Sequence, residues 1–195
     1  MIPRHFQIGI SFLLAAILIA GIYIIELRKG EEAKAQQELA GPEAPEAHGK
    51  EETIRILVAY DDDLALRWRN TRVFMPQERD LRAQAALRAV LAQYKQNPSP
   101  HPLPRGADIK DVYLLDGGTA LIDTTAQFAD AHPSGIVPEE MTLASLVETL
   151  SANVPGISRV KFLVDGKERH TLAGHADLES FYQVSAVHQL AREFE

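Results

Sequence analysis

The chain of 195 residues is 46% hydrophobic and 24% charged, a composition that is typical of a globular protein and excludes a largely disordered one. Its net charge of −7 disfavours nucleic acid as a partner, because a surface that is negative overall repels phosphate. The sequence contains no cysteine, which excludes disulfides, thiolate metal sites, cysteine nucleophiles and a lipid-modified N-terminal cysteine.

The N-terminal segment has the length and polarity of a membrane-spanning helix. Residues 8–25 are uncharged and mostly apolar, and a helix of that length crosses a hydrocarbon layer of about 30 Å. The alternative is a signal peptide cleaved near residues 33–35, but the apolar run is longer than that of a signal peptide and this site lies too far beyond it. We therefore predict an uncleaved membrane anchor over residues 1–29.

The orientation of this anchor depends on its flanking charges. Arg4 favours a cytoplasmic N-terminus, whereas Arg28 and Lys29 favour the reverse. A single anchor at the extreme N-terminus, followed by a linker and a domain, is typical of an extracytoplasmic domain held at the inner membrane, and we expect that topology. Residues 30–52 are rich in Glu, Ala and Pro and predict the linker.

The domain is predicted to begin with two strands and a helix. Residues 53–60 alternate and are rich in β-branched side chains, and residues 66–74 should return beside them. The three aspartates between them, residues 61–63, predict a solvated turn, because the ligand spacing, the glycine and the late glutamate of a calcium loop are missing. A helix is predicted after Pro76, with one apolar face formed by Leu81, Leu87, Val90, Leu91 and Tyr94.

Residues 111–128 carry a strong hairpin signal, two apolar runs around the Asp-Gly-Gly of residues 116–118. Both faces of these strands are apolar, with Val112 and Leu121 assigned to the same face, so we expect the hairpin in the centre of the sheet. Asp123 follows the second run. It could be a catalytic carboxylate, and it could equally accept a hydrogen bond from the backbone of the next turn.

A second helix and a closing hairpin complete the prediction. The helix should begin at Pro138, because apolar side chains recur from there at helical spacing. The Asp-Gly pair at residues 165–166 fits a type I′ turn, whose register would place Phe162 opposite Arg169. Residues 181–195 are expected to form a C-terminal tail.

The closing hairpin also contains the residues that most resemble a site. His170, His175 and Asp177, with His132 as a fourth, are candidate residues of a metal-dependent binder or hydrolase. Their His-x₄-His-x-Asp spacing matches no standard zinc helix or finger. In the predicted hairpin His170 lies opposite Lys161, an unfavourable place to collect a cation. We therefore expect a structural hairpin in which His175 orders the exit of the chain, and we predict no catalytic, cofactor or metal residue.

The predicted order of elements is β-β-α-β-β-α-β-β. Two similar units, each with strands and one amphipathic helix, predict an α+β fold with a mainly antiparallel sheet and two helices on one face. The sequence has no glycine-rich phosphate loop after a strand, no Gly-x-Ser-x-Gly elbow and no His-Glu-x-x-His helix.

Three segments in this order resemble the GerMN domain of sporulation and spore germination proteins: PLPRGADIKDVYLLDGGTALIDTTAQF, TLASLVETLSANVPGI and VKFLVDGKERHTLAGHADL. The resemblance covers residues 53–177, and we assign residues 53–180 to a GerMN-like domain. It implies a compact fold similar to the ring-building modules of secretion and sporulation complexes, an extracytoplasmic location, no known catalysis and no cofactor. It also implies binding or assembly at the envelope, with envelope proteins or by self-association.

Two features separate this chain from the founding germination lipoproteins of that family, which carry a lipid-modified cysteine and two domain copies. This chain has no cysteine and one copy, so we expect a general role in the bacterial cell envelope. The leading hypothesis is a non-catalytic, membrane-anchored binding or assembly module. The alternative is a small-ligand or metal-dependent binder or hydrolase that uses His170, His175 and Asp177. A peptidoglycan-binding role lacks a visible aromatic platform, since Trp68 is the only tryptophan.

Overall fold

A computed structural model describes residues 49–194. The predicted anchor and nearly all of the predicted linker lie outside the described residues. Within residues 49–194, no helix combines the length and the apolar character that a membrane span requires.

The described part of the chain has six strands and four helices, in the order β-β-α-β-β-α-α-β-β-α. The strands are β1 (Gly49–Tyr60), β2 (Ala65–Pro76), β3 (Ile109–Leu115), β4 (Thr119–Thr124), β5 (Arg159–Val164) and β6 (Tyr182–Gln183). The helices are α1 (Arg79–Tyr94), α2 (Ala126–Asp130), α3 (Ile136–Asn153) and α4 (Val184–Glu193). The α+β class is confirmed, and both helices predicted from apolar periodicity are present as α1 and α3.

The strands form two sheets, whereas a single mainly antiparallel sheet was predicted. β1 and β2 make a two-stranded antiparallel ribbon, and the other strands make a four-stranded sheet in the order β3-β4-β5-β6. That sheet is mixed, because β4 and β5 run parallel and the other neighbours antiparallel. Parallel neighbours need a long crossover, and α3 lies in that crossover. The prediction of two helices on one face is also wrong, since α1 packs against β2, β3 and α3 and so joins both sheets.

The hairpin of β3 and β4 lies at one side of its sheet. β3 is an edge strand, and Tyr113 and Leu115 are 46% and 49% exposed, so the prediction of a central hairpin holds only for β4. The three-residue turn pairs Val112 with Ile122, which places these two side chains together in the core. The predicted shared face of Val112 and Leu121 is therefore wrong.

The closing hairpin forms its turn but not its second strand. Asp165 and Gly166 have φ of 49° and 71°, as a type I′ turn requires, and Val164 pairs with Lys167. The predicted pairing of Phe162 with Arg169 is wrong. β6 pairs with Arg159 and Val160 of β5, so a return strand could not continue along that edge beyond Phe162. The Arg169 side chain instead pairs with Asp130 of α2 and donates to the carbonyl of Thr171.

The predicted domain boundaries also differ from the structure at both ends. β1 begins at Gly49, inside the segment assigned to the linker. Residues 181–194, predicted as a tail, supply β6 and α4, and Val187 and Ala191 of α4 are buried. The backbone N–H of Leu66 in β2 donates to the carbonyl of Phe194 at 2.7 Å, which attaches the end of α4 to the ribbon.

Side chains of the two long helices close the outer edge of β1. The N–H of Leu57 donates to the Thr149 hydroxyl of α3, and the N–H of Ala59 donates to the Tyr94 hydroxyl of α1, each at 2.9 Å. These bonds satisfy backbone donors that would otherwise be buried without a partner. The ribbon is thereby fixed to the helices by one of its two edges.

Candidate functional site

Glu139 is the centre of the polar contacts around the predicted histidine site. It lies in the first turn of α3 and is completely buried. Its carboxylate accepts hydrogen bonds from the N–H groups of Gly135, Ala173, His175 and Ala176, and from the His175 ring at 2.9 Å. Burial by itself raises the pKa of the Glu139 carboxyl, but the hydrogen bonds from the His175 ring and the backbone outweigh it and lower the pKa to about 2.

His170 and Asp177 lie in the same loop and serve separate local contacts. His170 is mostly exposed, and a hydrogen bond to the Glu179 carboxylate, 2.7 Å away, raises its pKa. Asp177 accepts the N–H of Glu179 at 2.8 Å, and its hydrogen bonds with Ser180 and that N–H lower its pKa. Nowhere in residues 49–194 are three His, Asp or Glu side chains placed to hold a metal ion. The candidate residues therefore do not form a metal site among the described residues.

His132 belongs to a different cluster, in the core, that sequence reasoning missed. The hydroxyl of Thr142 in α3 lies 2.8 Å from His132 Nε2, 2.5 Å from His101 Nε2 and 3.0 Å from the carbonyl of Pro138. His101 Nδ1 lies 2.5 Å from Asp61 Oδ1, so one of the three predicted turn aspartates has a buried partner. The Asp-His-Thr series has the order of a catalytic triad, but His101 and Thr142 are fully buried, which leaves no approach for a substrate.

Hydrogen-bond counting assigns the protons in this cluster. The carboxylate of Asp61 and the carbonyl of Pro133 only accept, so Nδ1 of both imidazoles must carry a proton. The single hydrogen of the Thr142 hydroxyl can be donated to only one of its three neighbours, His101 Nε2, His132 Nε2 and the Pro138 carbonyl. Burial, with a smaller contribution from the nearby His101, lowers the pKa of His132. The cluster is a structural polar network in the core.

Asp123 has the backbone role that was one of its two predicted interpretations, although with a different turn. It is 5% exposed, and its Oδ1 accepts the N–H of Gly166 at 2.7 Å. The carboxylate thus holds the turn that follows β5, on the neighbouring strand, and does not cap the turn that follows β4.

Two hollows on the described surface are modest in size. A cleft between α3, α4 and the loop that carries His175 encloses about 160 Å³, below the roughly 300–1,000 Å³ of typical ligand pockets. A more open hollow of about 310 Å³ lies beside the end of α1, at residues 94–105. The predicted site residues His175 and Asp177 both line the first cleft.

The outer part of β2 carries the most distinctive exposed chemistry. β2 contains Arg67, Arg69 and Arg72 and no acidic residue. Arg67 pairs with Asp63 at 2.6 Å, whereas Arg69 and Arg72 make no ion pair within residues 49–194. Phe74, two residues further on, is 50% exposed. We call residues 69–74, on the side of β2 away from β1, the arginine edge.

Aromatic side chains contact three arginines of the ribbon. The Arg55 guanidinium lies 4.5 Å from the centre of the Trp68 ring, and that of Arg67 lies 4.8 Å from the ring of Tyr60. Arg69 donates to the Tyr60 hydroxyl at 3.2 Å. Cation–π contacts of this kind keep the charge exposed while ordering the side chain. The ribbon therefore presents a preorganised basic surface.

These features define a class of protein: an α+β domain that joins an antiparallel ribbon to a mixed sheet and uses its buried polar groups in structural contacts. The chain belongs to the Germane family, described as "Sporulation and spore germination", whose family model matches residues 59–170, more than half of the chain. The resemblance to GerMN domains is thereby confirmed. A comparison with curated proteins gives no match.

Solved structures to which the chain is similar include a putative lipoprotein from Clostridium perfringens, with a TM-score of 0.46 and 16% identity over 69% of this chain and 87% of that one. The tandem GerMN domains of the sporulation protein GerM from Bacillus subtilis give 0.47 and 18% over 67% of this chain and 45% of that one. The first GerMN domain of the same protein gives 0.43 and 18% over 66% and 94%.

Proposed function

We propose that the chain is a non-catalytic binding or assembly module of the bacterial cell envelope, anchored in the inner membrane and exposed outside it. Membership of a family described by sporulation and spore germination supports a role of this kind. The observation that carries the proposal is the use of the candidate reactive groups. Glu139, His175, His101 and Asp123 all hold loops or turns inside the domain, whereas Arg69 and Arg72 of the arginine edge make no ion pair among the described residues.

The anchor and the location are supported by sequence alone. Residues 8–25 have the length and uncharged character of a membrane span, and they precede a Glu-, Ala- and Pro-rich tether. A binding domain held in this way meets its partners within the reach of its tether from the membrane. Self-association and contact with envelope proteins are both compatible with that arrangement.

In-cell crosslinking of the tagged full-length chain, followed by mass spectrometry, tests the proposal. The expected result is a reproducible crosslink between residues 49–194 and one envelope protein, or between two copies of the chain. The control is a chain of the same length whose residues 8–25 are replaced by a polar sequence, which should lose the crosslink. A full-length chain that stays monomeric and captures no envelope protein contradicts the proposal.

The metal-dependent alternative has a separate test. Titration calorimetry of the full-length chain with Zn²⁺ and with Ca²⁺ should give no heat of binding, because His175 and Asp177 are engaged in separate hydrogen bonds. The matched variant is His170→Ala, which removes the most exposed ligand candidate. If the natural chain gives a heat of metal binding and the His170→Ala variant does not, the chain is a metal-dependent binder and our proposal is wrong.

A further inference from the structure

The arginine edge carries unpaired backbone groups as well as charge. In an antiparallel pair, every second residue points its N–H and C=O away from the partner strand. Leu57 and Ala59 of β1 point outward, because their N–H groups donate to helix side chains. The register of the ribbon is unbroken, so the residues of β2 in the same phase, Asn70, Arg72 and Phe74, also point outward.

These outward groups have no hydrogen-bond partner in the part of the chain that the structure describes. At the far end of β2, the carbonyl of Phe194 accepts a hydrogen bond from the N–H of Leu66. No atom of residues 49–194 makes a hydrogen bond with the backbone N–H or C=O groups of Asn70, Arg72 or Phe74. All three residues are exposed. A row of alternating donors and acceptors in this state is a template for one more strand.

The charge on the edge restricts what that strand can be. Arg69 faces one side of the ribbon and Arg72 the other, because side chains alternate along a strand. A second copy of β2 would bring three more arginines and no carboxylate onto the same ribbon, and like charges on adjacent strands are destabilising. An added strand with acidic side chains would instead give each arginine a partner.

We infer that the arginine edge binds an extended acidic peptide segment of a partner protein by adding it to the ribbon as a third strand. The main-chain hydrogen bonds come from Asn70, Arg72 and Phe74, and the selectivity for carboxylates comes from Arg69 and Arg72. The exposed ring of Phe74 covers an apolar side chain of the peptide. This inference names the binding surface of the module and rests on the proposed function.

The first test separates backbone pairing from charge. Asn70→Pro removes an outward N–H and leaves the ladder with β1 intact, since proline is tolerated on edge strands in that phase; Asn70→Ala is its control. Arg69→Glu combined with Arg72→Glu reverses the charge, and Arg105→Glu combined with Arg192→Glu is the matched change at exposed sites elsewhere. The unfolding midpoint of each variant shows that it folds.

The probe is a short fluorescent peptide of alternating Val and Glu, titrated against the full-length chain in non-ionic detergent and followed by anisotropy. Its controls are the Val-Lys peptide and a Val-Glu peptide interrupted by prolines. We expect only the Val-Glu peptide to bind. Its affinity should fall about tenfold or more in Asn70→Pro and in the Arg69/Arg72 reversal, and should be unchanged in the control variants Asn70→Ala and Arg105→Glu/Arg192→Glu. Amide exchange at Asn70, Arg72 and Phe74 in the natural chain should slow when the peptide binds.

Three results would overturn the inference. One is the absence of binding by the Val-Glu peptide. Another is binding that survives Asn70→Pro without slowed exchange at the edge, which would show attraction by charge alone. The third is retention on phosphatidylglycerol vesicles that needs the arginines and ignores Asn70→Pro, which would assign the edge to a lipid surface. Crosslinks that persist in cells carrying Asn70→Pro would leave the binding function standing and move its surface elsewhere.

Discussion

A carboxylate with no exposed surface is stable as an anion only where donors replace the water that it loses. Glu139 has donors from the backbone of Gly135 and of the loop at residues 173–176, and from the His175 ring. Its position in the first turn of α3 adds the favourable end of the helix dipole. One side chain therefore joins a helix start to a loop more than thirty residues later in the sequence.

Replacing the charge at this position should be costly. In Glu139→Gln an amide N–H₂ meets N–H donors of the loop, so we expect a loss in the free energy of unfolding of roughly 3 kcal/mol. Urea unfolding followed by circular dichroism measures it. Glu140→Gln makes the same chemical change one residue away, on a half-buried side chain, and should cost much less. Equal losses in the two variants would refute the role given to Glu139.

The same contacts predict a pH dependence. The pKa of Glu139 is about 2 in the folded chain and 4.5 without the fold, so between these values the unfolded chain binds more protons. The stabilisation is complete above pH 4.5 and is lost as the pH falls towards 2, by about 3 kcal/mol in total. Urea unfolding at a series of pH values should show this slope in the natural chain. In Glu139→Gln that contribution should be missing.

The hydroxyl of Thr142 should also matter for stability. Thr142→Val keeps the shape and removes the group between His101 and His132, which leaves buried ring nitrogens without a partner. We expect a loss of about 1–3 kcal/mol in the free energy of unfolding. Thr53→Val, on an exposed part of β1, is the control and should change it by less than about 0.5 kcal/mol. A neutral Thr142→Val would contradict the structural role that we assign to this hydroxyl.

At the scale of the element, α4 shows what a C-terminal helix adds to this domain. It packs against α3 and buries Val187 and Ala191. Ala191→Asp would place a charge among apolar side chains, and we expect a destabilisation of several kcal/mol, on the order of 3. Ser185→Asp, on the exposed side of the same helix, should be nearly neutral. Thermal unfolding of both variants tests this, and a stable Ala191→Asp would show that α4 is dispensable.

Elements with local signals could be predicted, and elements that depend on distant partners could not. The apolar periodicity of α1 and α3 and the Asp-Gly turn after β5 are local, and all three are present. The pairing of β5 depends on β6, a two-residue strand from the end of the chain whose sequence carries no recognisable strand signal. Such a short element exists because it pairs with Arg159 and Val160 of β5, so its own propensity says little.

The polar clusters illustrate the same limit. His170, His175 and Asp177 are close in sequence and drew attention, yet each has a different partner in the fold. The network of Asp61, His101, His132 and Thr142 draws on four separate segments, and no spacing in the sequence could announce it. The three arginines of β2 can be read from the sequence. The free edge of β2 cannot, because it depends on how the ribbon meets the helices.

For the whole molecule, the lack of cysteine makes the topology directly measurable, since an introduced thiol is the only one present. We predict that Asp116→Cys, in the exposed turn between β3 and β4, reacts with a membrane-impermeant maleimide in spheroplasts. The matched variant His5→Cys, on the other side of the predicted anchor, should react only after the membrane is made permeable. The reverse pattern would place the domain in the cytoplasm.

The contacts of Glu139 also limit how far this domain can be truncated at its C-terminal end. The family match ends at residue 170, and the donors at Ala173, His175 and Ala176 lie beyond it. A fragment that stopped at the family boundary would keep the buried anion and discard most of the groups that neutralise it. The independently foldable unit is therefore longer than the stretch by which its family is identified.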